Sequence, residues 1–342
     1  PSYNHTMNIF VLNDKRKKLI GQKIRGIWNP ELYHGWGKKK RFFEGWYYKV
    51  VSKDEKSAFA FIPGVAMDEN EKKQAFIQIL DGKKSTSEYI KFPFDAFKAN
   101  PKKHIIKIKK NRFTTHSIDL DLPNIRGSLK FENVTPWSNS FFSPGIMGPF
   151  SFIPFMECYH GILSMDHLIT GELSIKDKKV DFSGGKGYTE KDWGHSFPIG
   201  YVWLQSNHFS ESKISFKCSV AKIPFKVFSF NGFIAGLWIK NKLIEFTTYN
   251  FSKLKRCNIS DKQVEIEIEN LQYILKVLVY RSKTATLAAP IQGFMDAKID
   301  ESMTSKIEVK LIEIKTNTIL FNDVGKNAGC EVAGKYNVLI KN

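Results

Sequence analysis

Residues 181–198 read DFSGGKGYTEKDWGHSFP and separate two series of predicted short strands. Glycines let the backbone adopt positive φ or approach a ligand closely. The Glu-Lys-Asp run at residues 190–192 places two carboxyl groups and an ammonium beside a tryptophan. Two interpretations are open at this point. One is a charged turn, and the other is a working site whose carboxyl pKa values are shifted by burial or by the lysine.

The sequence on both sides of this central stretch is typical of antiparallel β structure. Residues 118–122 and 264–269 alternate apolar and acidic side chains, which predicts strands with one buried face. A change of phase after Leu311 predicts a β-bulge there. Before the central stretch, strands are predicted at residues 42–51, 58–65, 74–80, 88–94, 104–109, 112–122 and 125–132, with one short helix in residues 1–41.

Many short strands separated by turn residues are typical of β-barrels and β-sandwiches. The predicted strands suffice for one such unit before the central stretch and another after it. We therefore predict an all-β chain of two antiparallel β-barrel or sandwich domains packed together, with few short helices. The first domain is predicted to span residues 1–190, including a basic lead-in segment, and the second residues 191–342.

The charge balance bears on the partners. The 342 residues include 52 Lys+Arg and 34 Asp+Glu, a net charge of +18, which favours anionic partners such as nucleic acid or anionic lipid. The basic residues are spread along the chain, however, with short runs only at residues 15–18 and 38–41. No nucleic-acid motif organises the aromatic residues. A solvated basic surface is the preferred interpretation, and nucleic acid is not predicted as a partner.

The cysteines and the hydropathy of the sequence predict the cellular compartment of the protein. Cys158, Cys218, Cys257 and Cys330 lie far apart, which predicts reduced thiols rather than a disulfide framework or a zinc site. No signal-peptide pattern opens the sequence, and no uninterrupted apolar run reaches the roughly 20 residues of a spanning helix. The predicted location is cytoplasmic, either free or peripheral to a membrane.

Residues 141–156, FFSPGIMGPFSFIPFM, are nearly all apolar, yet three prolines and two glycines exclude a regular helix or central strand. The first interpretation is a buried wall of the interior. The alternative is a lid or access loop for a hydrophobic ligand, in contact with a membrane interface, because long irregular loops tend to be functional.

Several motifs of common enzyme classes are absent from the sequence. There is no P-loop, no G-x-G-x-x-G that follows a strand to open a helix, and no G-x-S-x-G elbow. His160 and His167 lie near Asp166 without the spacing of zinc ligands. Neither a metal nor a cofactor is predicted.

Acidic residues within aromatic segments remain as candidate chemistry. Glu44 lies in FFEGWYY, Glu157 in FMECYH, and both Glu190 and Asp192 in the central stretch. Burying an unpaired carboxylate is costly, so each acid either pairs with a cation or lines a cavity. Together they predict an aromatic, acid-bearing pocket for a hydrophobic small molecule.

Two of these blocks carry a family resemblance. Residues 42–49, FFEGWYYK, preceded by NPE at 29–31 and YHG at 33–35, resemble the N-terminal signature of the tocopherol cyclase family. Residues 187–194, GYTEKDWG, with SFP at 196–198 and WLQSN at 203–207, resemble its central signature. The resemblance covers roughly residues 29–207. It implies two lipocalin-like β domains, as in the related carotenoid hydratases.

The resemblance also implies a reaction that closes a chromanol ring on a prenylated quinol without redox change or cofactor. An acid protonates the trisubstituted alkene, and the phenol oxygen captures the tertiary cation. Such an acid must stay protonated near neutral pH, which an apolar pocket achieves. Aromatic faces stabilise the cation, water is excluded, and a base takes the phenolic proton.

On this resemblance, Asp192 or Glu190 is the predicted proton donor, and Glu44 or His160 its partner. If Lys191 contacted Asp192, that carboxylate would stay ionised, and Glu190 or Glu44 would be the better acid. The predicted substrate-binding residues are Trp46, Tyr48, Glu157, Tyr188, Trp193, Trp203, Gln205 and Asn207.

Hydration of a prenyl or polyenic lipid is a variant of the same hypothesis. The alternative from another class is a non-catalytic lipocalin-like carrier of a hydrophobic ligand, and a third is a basic binder of nucleic acid or a membrane surface. Acids that converge on one apolar cavity would favour the enzyme. A cavity lined only by apolar side chains would favour the carrier.

Overall fold

The computed structural model describes residues 16–154, 156–225 and 228–341. Residues 16–28 form helix α1. The strands of the first sheet are β1 (Phe42–Val51), β2 (Ala58–Met67), β3 (Lys73–Asp81), β4 (Thr86–Pro93), β5 (Phe97–Ala99), β6 (Ile105–Ile108), β7 (Asn111–Thr114), β8 (Ser117–Asp121), β9 (Ile125–Glu132), β10 (Cys158–Ile175), β11 (Lys178–Asp181) and β12 (Gly185–Gly194).

The second sheet follows in sequence. Its strands are β13 (Gly200–Ser206), β14 (Ser215–Phe225), β15 (Phe228–Ile239), β16 (Lys242–Thr247), β17 (Lys253–Ile259), β18 (Gln263–Glu269), β19 (Tyr273–Tyr280), β20 (Ala285–Ile291), β21 (Phe294–Glu313) and β22 (Thr318–Gly334). Short 3₁₀ turns lie at Phe94–Ala96, Gly148–Phe152 and Tyr336–Leu339.

Within the described ranges, the two sheets contain 12 and 10 strands. The first runs β4-β3-β2-β1-β12-β10-β9-β8-β7-β6-β5, with β11 beside β10. The second runs β16-β15-β14-β13-β22-β21-β19-β18-β17, with β20 beside β21. The central pairs are antiparallel, such as β1 with β12 and β13 with β22. The predicted all-β architecture is confirmed.

Some local predictions can be checked against the strands. The register shift between Leu311 and Ile312 in the β21–β22 pair confirms the predicted bulge. The single strand predicted at residues 112–122 is wrong, because the chain turns back between β7 and β8. At that turn the N–H of His116 donates to Thr114 Oγ1 at 3.1 Å. All four cysteines are free, as predicted.

The sheet changes between Gly194 and Gly200, so the predicted domain division after residue 190 falls inside β12. That each half is a separate domain stays a prediction. Among the described residues, no helix has both the length and the apolar content needed to cross a bilayer.

The first sheet curves around its own core. Tyr48 on β1 donates its hydroxyl hydrogen to the Thr114 carbonyl on β7 at 3.1 Å. The rings of Trp46 on β1 and Phe97 on β5 lie 6.4 Å apart. Strands distant in the sheet order therefore meet across the interior, and their apolar side chains form one core.

Strands β1 and β12 are buried on both faces. Phe42, Trp46 and Tyr48 of β1 belong to the core of the first sheet, whereas Tyr47 of β1 and Tyr188 of β12 pack against the second sheet. Successive side chains of a strand point to opposite faces, so neighbours in sequence enter different spaces. Burial on both faces explains why residues 42–51 read as a nearly continuous apolar run.

A buried ion pair fastens the segment before β1 to the first sheet. The N–H groups of His34 and Gly35 donate to the Glu44 carboxylate at 2.9 and 3.1 Å. Lys191 Nζ lies 2.5 Å from Glu44 Oε1, and both side chains are inaccessible to solvent. Burial pushes the pKa of Glu44 upward, but the Lys191 charge and the His34 hydrogen bond outweigh it and lower that pKa.

The ammonium of this pair has further partners. Lys191 Nζ donates to the backbone carbonyls of Pro30 and Leu32. It also lies 4.6 Å from the ring centroid of Trp46 and 4.8 Å from that of Trp193, a cation–π arrangement on both sides. The pair therefore connects β1, β12 and residues 30–35.

Replacing Lys191 by methionine should leave the Glu44 charge buried without its counter-ion. We expect Lys191→Met to lower the free energy of unfolding by about 3–5 kcal/mol, measured by urea denaturation. The exposed Arg256–Glu265 pair, 2.9 Å apart, provides the control. Arg256→Met should cost about 1 kcal/mol or less, and equal losses in the two variants would contradict the structural role of the buried pair.

Candidate active site

A cavity lies between the two sheets, with walls from both. It contains about 1380 Å³ of space free of protein atoms, part of it open to solvent. Most of the lining is apolar, and its larger side chains are Phe43, Tyr47, Phe76, Met147, Phe150, Phe197, Tyr201, Trp203, Phe230, Phe233 and Met295. Its polar lining includes His160, Glu190, Asp192, Lys217, Glu301 and Glu331. Such a space suits a largely hydrophobic ligand with a reactive polar end.

Strand register places the acids in rows. In the first sheet, Asp192 of β12 lies opposite His160 of β10, and Glu190 lies opposite Tyr47 of β1. In the second sheet, Glu331 of β22 lies opposite both Trp203 and Glu301. Opposed residues share a face, and the side chains of both rows line the cavity.

Glu190 is buried at the centre of this arrangement. Its Oε2 accepts hydrogen bonds from the Tyr188 hydroxyl at 2.5 Å and from Trp203 Nε1 at 3.0 Å. Burial raises the pKa of Glu190, which the nearby Asp192 raises further and His160 lowers. The Trp203 bond crosses from the second sheet to the first.

His160 is held between two acids. Its Nδ1 lies 2.7 Å from Asp192 Oδ1, a hydrogen bond that orients the ring. Its Nε2 lies 3.6 Å from Glu190 Oε2 and, within the described residues, has no hydrogen-bond partner. An oriented imidazole with a free nitrogen is the arrangement of a general base.

Glu301 and Glu331 form a second pair of buried acids. Tyr47 donates a hydrogen bond to Glu301, and Tyr201 donates one to Glu331. Burial raises the pKa of Glu301 to about 8. Burial also raises the pKa of Glu331 well above its ordinary value, and the facing Glu301 adds to that shift. Like charges so close favour a neutral carboxyl group in the pair.

Lys217 lines the cavity together with these acids. Lys217 is buried, and its Nζ donates to Ser219 Oγ at 2.6 Å. Burial lowers its pKa, while the nearby Glu190 counteracts that shift. The cavity therefore combines acids, a histidine and an ammonium against apolar walls.

Sequence reasoning missed Glu301, Glu331, Lys217, Tyr47 and Tyr201. A signal was present for Glu331, which lies in the apolar run CEVA at residues 330–333. It is the same pattern of an acid within an apolar strand that singled out Glu44. Glu301 lies beside Asp300 and Ser302, so no comparable pattern marks it.

The predicted catalytic residues divide between two places. Glu190, Asp192 and His160 meet at the cavity. Glu44 does not line it, because even-numbered residues of β1 face the interior of the first sheet, where Lys191 neutralises its charge. Glu44 is thus a structural carboxylate rather than a partner of the cavity acids.

Among the predicted substrate-binding residues, Trp203 lines the cavity. Tyr188 is buried between the sheets and reaches Glu190 through its hydroxyl. Trp46 and Tyr48 lie instead in the core of the first sheet, on the face of β1 that points away from the cavity. Strand parity therefore places these two predicted substrate-binding residues outside the cavity lining.

Other predicted contacts also lie outside the cavity lining. Trp193 stacks on His34, with ring centroids 4.0 Å apart. Gln205 accepts a hydrogen bond from Lys49 at 2.7 Å, and Asn207 donates to Asp166. Partly exposed Glu157 accepts backbone N–H groups through its carbonyl oxygen. These residues join the sheets or their loops rather than face a ligand.

Residues 141–156 contain both cavity-lining and solvent-exposed side chains. Met147, Phe150 and Met156 line the cavity, as a wall would. Phe141 and Phe142 are exposed to solvent over 69% and 79% of their surface. Phe155, also part of the predicted segment, lies outside the described residues.

His160, Glu190 and Asp192 could also hold a cation, since their candidate ligand atoms all lie within 4.8 Å of one another. The hydrogen bonds from Tyr188 and Trp203 already occupy one oxygen of Glu190. The expectation that the protein needs no metal stays a prediction.

Comparison with known sequences identifies a protein family that this chain matches. The profile described as tocopherol cyclase-like matches residues 124–334, which contain every acid of the cavity. A segment of 57 residues is 35% identical to the probable tocopherol cyclase, chloroplastic, of Oryza sativa subsp. japonica. That match covers 17% of this chain and 12% of the rice protein, so the chain is aligned with a small part of that relative.

Solved structures share the fold. The crystal structure of CghA aligns over 86% of this chain and 89% of its own, with a TM-score of 0.55 and 10% identity. CghA with Sch210972 gives a TM-score of 0.54 at 10% identity, over 86% and 88% of the two chains. At this identity the likeness concerns the fold alone.

The raised pKa of Glu301 predicts a specific pH dependence of stability. Between its ordinary value of 4.5 and about 8, the folded chain holds a proton that the unfolded chain releases. This contribution to stability therefore falls as pH rises through that window. We expect Glu301→Gln, which does not titrate, to gain stability over the parent from pH 4.5 to 8, by up to roughly 5 kcal/mol.

Denaturant unfolding at several pH values measures this difference. Lys49 titrates in the same window, because burial lowers its pKa to about 7 while the Glu301 charge raises it. Repeating the comparison in a Lys49→Met background separates the titration of Glu301 from that of Lys49. A parent-to-variant difference that is constant across the window would show that Glu301 titrates normally.

Proposed function

The chain belongs to the tocopherol cyclase-like family, and from this premise we propose that it is an enzyme for cofactor-independent, proton-initiated cyclisation of a prenylated quinol or a related isoprenoid lipid. The observation that carries the proposal is the convergence of Glu190, Glu301 and Glu331, all with raised pKa, on one largely apolar cavity. Acids that stay protonated near neutral pH are what alkene protonation requires.

Glu190 is the proposed proton donor. Hydrogen bonds from Tyr188 and Trp203 occupy its Oε2, which leaves Oε1 to carry the transferable proton. As the Oε1–H bond breaks, a C–H bond forms at the less substituted alkene carbon, and the other carbon becomes a tertiary cation. The faces of Trp203, Phe197 and Tyr201 are available to stabilise that cation.

His160 is the proposed base. When the phenol oxygen bonds to the cation, its O–H proton passes to Nε2, the nitrogen without a partner in the described structure. Asp192 on Nδ1 holds the ring and stabilises the imidazolium. Nε2 lies 3.6 Å from the Glu190 carboxyl group. After product release, one bridging water molecule can pass the proton back to that carboxylate, and the cycle closes without net proton change.

Water exclusion decides the product. The apolar wall that includes Met147, Phe150 and Phe230 offers water no hydrogen-bond partner beside the cation, which favours ring closure. Capture of the same cation by an admitted water molecule would give a hydrated alkene instead. The hydratase variant thus uses the same acid with a different nucleophile.

Reaction in D₂O tests the protonation step directly. With a prenylated quinol as substrate, the cyclised product should carry one deuterium on the ring carbon that was the less substituted alkene carbon. Mass spectrometry and NMR of the product locate the label. A cyclised product without deuterium would rule out proton transfer from an exchangeable group.

Substitutions test the assigned roles. Glu190→Gln and Asp192→Asn should each lower kcat by roughly 10²–10⁴-fold, the usual contribution of general acid–base groups. Glu172→Gln, an exposed carboxyl on the same strand as His160, is the matched control and should retain parental turnover. Parental kcat in both Glu190→Gln and Asp192→Asn would overturn the assignment.

The carrier hypothesis predicts a different result. A carrier would bind a prenylated quinol with measurable affinity and release it unchanged from the parent protein and every variant. Buried acids in the cavity disfavour that role, because a purely apolar ligand gains nothing from them. Saturable binding with no turnover of any prenylated quinol would establish the carrier.

A further inference from the structure

An exposed surface that is both apolar and basic lies beside the cavity. It consists of α1 and residues 141–152, and we call it the α1–Phe surface. Trp28 joins the two parts, since its ring stacks on that of Phe141 with centroids 5.5 Å apart. Trp28 Nε1 donates to the Phe141 carbonyl at 3.0 Å, and Asn139 donates to the Trp28 carbonyl at 2.8 Å.

The apolar part of this surface has no cover within the described residues. Phe141 and Phe142 are the most exposed, and Ile20 and Ile24 of α1 are 50% and 52% exposed. Ile20, Ile24 and Trp28 are spaced four residues apart, so they follow one face of the helix. Large apolar side chains grouped on a surface mark a site of interaction.

The charges are of one sign. Residues 16–30 contain five basic residues and no acid, and residues 133–156 carry no charge at all. Leu19 packs against Gly37, which brings the basic run at 38–41 next to α1. Burial lowers the pKa of Lys38, and the charge of the nearby Lys23 lowers it further. These lysines repel one another and would gain from an anionic partner.

We propose that the α1–Phe surface docks the protein on an anionic lipid bilayer. Phenylalanine and isoleucine side chains would enter the acyl boundary, while the lysines and arginines of α1 contact the lipid head groups. A nucleic acid would match the charge, and its bases could stack on the exposed phenylalanines. The exposed Ile20 and Ile24 offer no stacking face, however, and suit acyl chains. The combination favours a bilayer.

The α1–Phe surface lies next to the cavity, so docking would bring the cavity close to the bilayer. Met147 and Phe150 belong to the same segment as Phe141 and Phe142, yet they line the cavity. Phe150 also lies 6.3 Å from Phe230 and 6.1 Å from Tyr249, both of which line the cavity. A docked protein therefore holds the rim of its cavity against the bilayer. The advantage of holding the cavity at the bilayer rests on the proposed lipid substrate, whereas the docking itself does not depend on that proposal.

Vesicle co-sedimentation without substrate tests the docking alone. The full chain should bind phosphatidylcholine vesicles that contain phosphatidylglycerol, and bind pure phosphatidylcholine vesicles weakly. Phe141→Ser/Phe142→Ser should weaken binding by roughly tenfold or more, because two exposed aromatic side chains leave the interface. Lys17→Glu/Lys18→Glu should weaken it comparably and remove its dependence on salt.

Leu271→Ser is the matched control. Leu271 is also highly exposed, but it lies in the β18–β19 turn, near the end of the second sheet where Glu313 pairs with Thr318. Unchanged vesicle binding in this variant supports the docking surface. Equal binding by the parent and the phenylalanine variant, or binding of RNA in place of vesicles, would overturn the proposal. Because these assays contain no quinol, loss of the proposed activity would leave their outcome unaffected.

Discussion

Side chains on β1 and β12 alternate between two buried spaces, and this constraint decides the role of every charged residue at the centre of the chain. Lys191 lies between Glu190 and Asp192 in sequence, yet it points to the opposite side and pairs with Glu44. Lys191 thus neutralises Glu44 inside the first sheet, whereas Glu190 and Asp192 face the cavity. A register shift of one residue would exchange these environments, placing two carboxyl groups in an apolar core.

Stability and the candidate chemistry depend on the same hydrogen bonds. Burying several carboxyl groups is costly, and the donors Tyr47, Trp203 and Tyr201 offset part of that cost. Two of these bonds cross between the sheets, Tyr47 to Glu301 and Trp203 to Glu190. Glu190 and Glu301 therefore help to hold the two sheets together, while burial between the sheets raises the pKa of both acids. A substitution at either acid would also affect the packing of the sheets.

Local patterning made much of the fold predictable. The bounds of β1 and β9 match the predicted strands, because turn residues flank each of them. Glu190 and Asp192 could be singled out in the sequence because burying a carboxylate among aromatic side chains is costly without a partner. The face of β1 that turns towards the cavity was not predictable from the sequence. The predicted site residues Glu44, Trp46 and Tyr48 lie inside the first sheet instead. Glu301 was missed because its partners, Tyr47 and Glu331, approach it only through long-range pairing.

The strand order also determines when the second sheet can be completed during synthesis. β22, which carries Glu331, lies between β13 and β21, so the first strand of the second sheet waits for the last one. A chain emerging from the ribosome presents His160, Glu190 and Trp203 long before the strand that completes their surroundings. A chain that ends before β22 therefore lacks Glu331 and leaves an edge of β13 and of β21 unpaired, and unpaired strand edges favour aggregation.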